Sequence, residues 1–334
     1  MITHQKRKFN VVAAFMIVVL ISFTGCDRNE DKGAGAREKI IFADGRMPLS
    51  APIYVAREKG FFASEGLDVA IQSHWSGKEA LASVIKGEAH VCSVAETPVM
   101  FAGLKGEKIF VIATIGDSKK HLKIIGRRDR GIAGPRDLKG KTVGVLKGAA
   151  PEYYLDAFLT YHGLKKEDIR IVDVKPEQMA DALASGKIDA AVTWRPILAA
   201  QQTRLGDNAI ILENALIYEL QWNVIARQDY VNKNPESIIK LLRALMKADA
   251  YVMNNPEEAR AITARQTGEE SVSLADYDFG LKLGQSMLIN LENQARWAIK
   301  NRLTDKKEVP NFLPLMYIKG LEAVNPRVVT VIHQ

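Results

Sequence analysis

The chain has 334 residues, 47% hydrophobic and 25% charged, an average balance that excludes a disordered chain, a collagen-like repeat and a polytopic membrane protein. Two cysteines cannot make a disulfide framework, and no Cys/His spacing matches a zinc site. The formal charge of +7 includes Lys6, Arg7 and Lys8; without residues 1–25, 43 basic side chains face 39 acidic ones, a mild net of +4 that argues little for nucleic acid.

The chain opens on a basic stretch followed by an apolar run of 13 residues at 11–23. A spanning helix needs about 20 apolar residues, so the run has the proportions of a secretory leader. Phe23-Thr24-Gly25-Cys26 follows directly and resembles a bacterial lipobox, which implies that Cys26 is lipidated through its sulfur and then becomes the new N-terminus on cleavage. Residues 1–25 are thus expected to be a lipoprotein signal peptide. Residues 26–37, charged and Gly-containing without an apolar period, read as a flexible tether. Cys92 lies in an apolar run with no base nearby and reads as a buried structural thiol.

From residue 38 short β-branched runs alternate with helical patterns. Strands are expected at 40–43, 68–72, 89–94, 109–114, 142–146, 169–174 and 188–193, with helices at 53–65, 78–86, 152–161 and 177–184. This alternation predicts an α/β architecture with parallel sheets. The pattern then repeats with a period of about 100 residues. Ala51-Pro52, Gly66-Leu67 and Gly87 to Pro98 in one copy match Ala150-Pro151, Gly163-Leu164 and Gly186 to Pro196 in the other. Two similar lobes follow. Farther along, short strands are expected at 209–212 and 222–226. Helices are expected at 235–253, 256–267, 274–293 and 315–323, so the last third reads as helical and buttresses the first lobe.

Pro52, Pro98, Pro151, Pro176 and Pro196 stand where first helical residues would, and Ser76 with Glu79 fits a capping box. In parallel α/β sheets these helix N-termini lie beyond the carboxyl ends of the strands, where ligands bind. Two lobes facing each other therefore make a cleft suited to an anion. Enzyme signatures fail. There is no G-x-S-x-G or H-E-x-x-H, the six histidines are scattered, and the Gly134 to Gly140 segment precedes a strand where a phosphate loop precedes a helix. No cofactor and no metal are expected.

Several segments resemble one family. Tyr54-Val-Ala-Arg-Glu-Lys-Gly-Phe-Phe62, Glu65-Gly-Leu-Asp-Val69, residues 80–87, Asp137-Leu-Lys-Gly-Lys-Thr-Val-Gly-Val145, Ala182-Leu-Ala-Ser-Gly-Lys-Ile-Asp-Ala190 and Trp194-Arg-Pro196 occur in order. They are similar to substrate-binding proteins of ABC importers of the nitrate/alkanesulfonate/taurine type, a group that embraces thiamine-pyrimidine-precursor-binding proteins. The resemblance runs from about residue 39 to 227 and implies a type II periplasmic-binding-protein fold, two lobes with a hinge and an interlobe cleft. Residues 38–118 and 223–334 would form lobe 1, and residues 119–222 lobe 2.

The post-strand loops, which coincide with the family's pocket segments, supply the candidate ligand contacts. The first holds Gly45, Arg46, Ser50 and Ala51; Arg46 there either pairs with an oxyanion or stands exposed at the rim. The second holds Trp75 and Ser76, with Trp75 expected to pack on ligand or lid. The third holds Glu96 and Thr97, Thr97 as a helix cap facing the cleft; Glu96 either meets an amino group of the ligand or points to solvent. In the second lobe Gly148, Ala149 and Ala150 make a backbone cradle for an anion, while Trp194 and Arg195 close the floor. Tyr218 and Trp222 complete an aromatic wall, and His121 is expected at the surface or in the hinge.

The resemblance implies a non-enzymatic extracytoplasmic lipoprotein, periplasmic or at the cell surface, anchored to the cytoplasmic membrane. It would be a monomer that binds a small anionic or zwitterionic organic ligand such as a sulfonate or taurine and passes it to permease and ATPase subunits. The alternatives are an aminopyrimidine-binding protein and a ligand-sensing module for a membrane signalling partner.

Overall fold

The computed structural model describes residues 37–269 and 272–333. The expected leader, the Cys26 lipidation site and the tether up to residue 36 lie outside the described residues. The chain first lays down β1 (Glu38–Asp44), α1 (Ala51–Glu58), α2 (Phe61–Ser64), β2 (Leu67–Ser73), α3 (Gly77–Lys86), β3 (Val91–Ala95), α4 (Glu96–Lys105) and β4 (Ile109–Ser118). It continues with β5 (Lys123–Arg127), β6 (Thr142–Val145), α5 (Ala150–Tyr161), β7 (Arg170–Asp173), α6 (Pro176–Ala184), β8 (Ala190–Thr193), α7 (Ile197–Leu205) and β9 (Ala209–Leu212). The last third holds β10 (Leu220–Arg227), α8 (Gln228–Lys233), α9 (Pro235–Asn254), α10 (Pro256–Thr267), β11 (Asp278–Lys282), α11 (Gln285–Lys300) and α12 (Ile318–Glu322).

These strands make a six-stranded sheet in the order β11-β4-β10-β3-β1-β2 and a five-stranded sheet in the order β7-β6-β8-β5-β9. Each sheet contains the same unit. β2-β1-β3 and β7-β6-β8 are parallel triplets with the first strand of the unit in the centre, and an antiparallel strand lies beside the third. That antiparallel strand is traded between the halves. β5, which follows the first unit, enters the second sheet, whereas β10, which follows the second unit, returns to the first. The chain therefore crosses between sheets twice, at 119–122 and at 213–219. β10 enters the six-stranded sheet at Leu220, pairing with Ser118 of β4, so residues 220–222 pair there, on the other side of the boundary expected at 222/223.

The central strands are buried on both faces, as continuous apolar sequence dictates in a parallel sheet covered by helices. β3 is buried throughout, and Cys92 sits within it as a free thiol that burial, then the charge of Asp44, pushes well above its ordinary range. α9 and α10 pack on α1, α12 on α9, and α11 on α4, so the last third covers the six-stranded sheet.

Three expectations need correction. The helix expected over 53–65 is two helices, because Gly60 takes φ +71° and ends the first. The helix expected over 274–293 gives way to β11 and then α11. Residues 278–282 pair with the free edge of β4, opposite Asp117, Gly116 and Thr114, and this edge outweighs a local helical period broken by Gly280 and Gly284. Lys282 adds an ion pair with Asp117 across the new edge. Finally, α4 begins at Glu96 rather than Pro98. Its N-cap is Ala95, which places Thr97 inside the first turn, buried, with its hydroxyl lacking a partner among the described residues.

Candidate functional site

Two first turns from different sheets face the same cavity. At the start of α3, Ser76 is the N-cap and its hydroxyl accepts the Glu79 N–H at 3.3 Å. The Glu79 carboxylate reaches back one residue farther than a capping box requires and takes the Trp75 N–H at 3.1 Å. At the start of α5, Gly148 adopts φ +68° and Ala149 is the N-cap. Ser76, Gly77, Ala149 and Ala150 line one cavity of about 30 Å³ between the two halves. First-turn N–H groups have no preceding turn to accept them, so each end carries donors and partial positive charge.

The rest of the lining is mostly apolar, with Met47, Leu122, Leu146, Leu220, Trp194 and Trp222 as the large members. Trp222 is 1% exposed, and its indole N–H donates to Ser50 Oγ at 3.0 Å. Its ring lies so close to Gly45 and Gly77 that a Cβ on Gly77 would stand 2.7 Å from it and 2.8 Å from Val94 Cα, which is why the sequence has glycines there. Beneath this floor Asp44 ends β1, fully buried. Its carboxylate accepts from Ser50 and Ser93 on one oxygen, at 2.5 and 2.6 Å, and from Tyr54 and the Arg46 N–H on the other, at 2.5 and 2.9 Å.

A family model described as NMT1/THI5 like matches residues 47–259, from the first post-strand loop into α10. The chain belongs to the NMT1/THI5-like family. Among its relatives is a putative aliphatic sulfonates-binding protein of Bacillus subtilis, 25% identical over 73% of this chain and 74% of that one. Another is the yeast 4-amino-5-hydroxymethyl-2-methylpyrimidine phosphate synthase THI13, 25% identical over 64% and 66%. The alkanesulfonate-binding protein SsuA from Xanthomonas axonopodis pv. citri, solved with MOPS bound, superimposes with a TM-score of 0.72 at 17% identity, over 84% of this chain and 98% of that one. The fold is therefore that of a periplasmic binding protein, two α/β sheets joined by two crossovers.

Within this NMT1/THI5-like fold, Ser76, Ala149, Ala150, Trp194 and Trp222 of the expected site line the cavity. Gly45 and Ser50 lie just behind it through Trp222, and Ala51 is the buried first residue of α1. The others are used differently. Arg46, at φ 45°, stacks its guanidinium 4.7 Å from the ring centre of Trp75, which is 46% exposed at the rim. Arg195 is paired with Glu269 beyond α10. Gly148 donates its N–H to Glu152 at 2.7 Å, so this donor of the turn is already occupied.

Glu96 does not line the cavity. Its carboxylate is buried and accepts from the Tyr218 hydroxyl, the Gln221 N–H at 3.0 Å and the Gln294 amide at 2.8 Å. It thus ties α4 to the second crossover, to β10 and to α11. Burial pushes it up to about 7 in spite of these three donors.

Among the lining residues that were not expected as ligand contacts, two are polar, His121 and Lys78. His121 lies in the first crossover, as one of its two expected places had it, but is 4% exposed, packed under Tyr277 with ring centres 5.9 Å apart. Nothing local in Lys120-His121-Leu122 signals that. Lys78 was legible as the second residue after the Ser76 cap. Its ammonium crosses the cleft and donates to the Lys147 carbonyl at 2.6 Å, and a Cβ on Gly148 would lie 3.2 Å from it. Since this bond exists only when the halves are together, Lys78→Met should weaken ligand affinity by about fivefold, the equivalent of ~1 kcal/mol for an exposed charged contact. A faster ligand release in stopped-flow tryptophan fluorescence checks this; an unchanged release rate would remove Lys78 from the closure mechanism.

Proposed function

We propose that this protein is the extracytoplasmic binding component of an ABC importer and that it holds a small organic sulfonate without transforming it. The observation that carries this reading is the meeting of α3 and α5, one helix N-terminus from each half, over a single apolar cavity. Such an arrangement offers N–H groups and dipoles to an anionic head and aromatic and aliphatic walls to a carbon body. The names of the Bacillus and Xanthomonas relatives support it. The yeast relative is an enzyme, but here no group of three His, Cys, Asp or Glu among the described residues could hold a metal ion, and Cys92 is sealed within β3. Holding rather than catalysis fits these side chains.

The cavity has room for about two waters, less than any organic sulfonate needs. Binding then requires the two halves to part and close again about residues 119–122 and 213–219, presenting the permease with one closed shape. A lipid on Cys26, with the charged stretch after it as a tether, would keep the monomeric binder at the outer face of the cytoplasmic membrane.

The test is a thermal-shift series on the full chain in mild detergent and Tris, since common sulfonate buffers would compete. Alkanesulfonates, taurine, nitrate and an aminopyrimidine are the probes. At 100 times its Kd a ligand adds about 2.7 kcal/mol, a rise of a few degrees in Tm. A rise with sulfonates alone is expected. A rise with the aminopyrimidine and none with any sulfonate would replace this reading.

A further inference from the structure

The cavity contains one polar side chain that neither the helix ends nor the closure contact uses. His121 lines it from the first crossover, is almost wholly buried, and its Nδ1 has no hydrogen-bond partner among the described residues. Burial first, and then the nearby Lys123 charge, pull the imidazole down to about 3, so the ring is neutral throughout the physiological range. A neutral imidazole carries one N–H and one lone pair. Buried N–H groups are left unpaired more rarely than lone pairs, so the sealed Nδ1 keeps the lone pair and the proton resides on Nε2, a tautomer assigned from the bonding pattern. Of the other side chains that line the cavity, Leu122, Leu146, Leu220 and Trp194 carry no acceptor for such a donor, and the Ser76 oxygen already accepts the Glu79 N–H. An aromatic or aliphatic residue would fill the position without that deficit.

We propose that His121 is the specificity-determining residue of the cleft, a neutral donor that favours sulfonates carrying an oxygen acceptor on the carbon body over their unsubstituted parents. The proposal rests on the sulfonate reading above. The head group remains with the N-termini of α3 and α5. Because the imidazole is uncharged, it selects for a hydroxyl, ether or carbonyl oxygen rather than for a second negative charge.

Matched pairs test it. The full chain is titrated calorimetrically in Tris with ethane-, propane- and butane-1-sulfonate and with the ω-hydroxy form of each. At least one hydroxylated compound should bind about tenfold more tightly than its parent, within the range expected when a buried donor gains its acceptor. His121→Phe should abolish that preference, so that the two members of each pair bind with affinities within about threefold of each other. A merely structural histidine would weaken both members of a pair alike. Should the Phe protein not fold, His121→Leu serves. In wild type the ¹⁵N resonance of the His121 Nε2 should move with the hydroxylated ligand and stay in place with the parent. No preference in wild type, or a preference that survives in the variant, overturns the proposal. Failure of every compound to bind overturns the sulfonate reading and this inference with it.

Discussion

Asp44→Ala is expected to lower the free energy of unfolding by about 3–5 kcal/mol, the range for removing one partner from a buried charged network. The carboxylate accepts four hydrogen bonds, two on each oxygen, from Arg46, Ser50, Tyr54 and Ser93. Ser50 and Ser93 in turn accept from the Trp222 indole and the Gly45 N–H. Deleting the carboxylate strands hydroxyls of Ser50, Tyr54 and Ser93 in a place where water cannot reach them, each at a cost of about 1–3 kcal/mol before relaxation. It also releases the floor under the cleft, so ligand affinity should fall together with stability. Asp44→Asn should be milder, about 1–2 kcal/mol. The amide oxygen must face the Arg46 N–H, which cannot accept, and the amide hydrogens then face two serine hydroxyls that can turn to accept them. Urea unfolding followed by tryptophan fluorescence measures both. An alanine protein within about 1 kcal/mol of wild type would show that the network contributes little.

The second large effect is on pH. Glu96 has a folded-state value of about 7, raised by burial above the usual carboxylate range near 4.5. The folded state therefore holds the proton more tightly than the unfolded chain does. Stability from this group is full below about pH 4.5 and is lost as pH rises through about 7, a change on the order of 3 kcal/mol. Three donors oppose the loss by favouring the ionised form, two on Oε1 and one on Oε2, which leaves a position on Oε2 for the proton. Other carboxyls are raised by burial as well, Glu152 and Asp249 among them. The difference between wild type and Glu96→Gln across pH 5 to 8 isolates Glu96. Wild type should lose stability relative to the variant across that interval. A flat difference would place the carboxyl at an ordinary value.

These two residues also separate what a sequence can disclose from what it cannot. Apolar periodicity, the Gly and Pro punctuation at helix ends, and the repeated unit from Ala51-Pro52 and Ala150-Pro151 were legible, because strand burial and helix capping are settled within a few residues along the chain. Ser76, Ala149, Ala150 and Trp194, which line the cavity, were legible for the same reason, since post-strand loops are local, whereas Trp222 lies within β10. The β11 pairing was not, since it depends on a free edge of β4 some 160 residues away, and edge pairing can outweigh helix propensity. Glu96 offered no local sign that Tyr218, Gln221 and Gln294 would surround it; those partners lie 122, 125 and 198 residues distant. Arg46 and Arg195 read as free charges in the sequence and are occupied in the fold, one on Trp75 and one by Glu269. His121, expected at the surface or in the hinge, lies in the four-residue crossover and is buried against Tyr277 and the cavity, which no local pattern announced. The sequence by itself determined the units and where their loops open. The tertiary structure decided which side chains of those loops line the cavity and which are already bound to each other, because pairing over long separations is set by packing and not by neighbours in the chain.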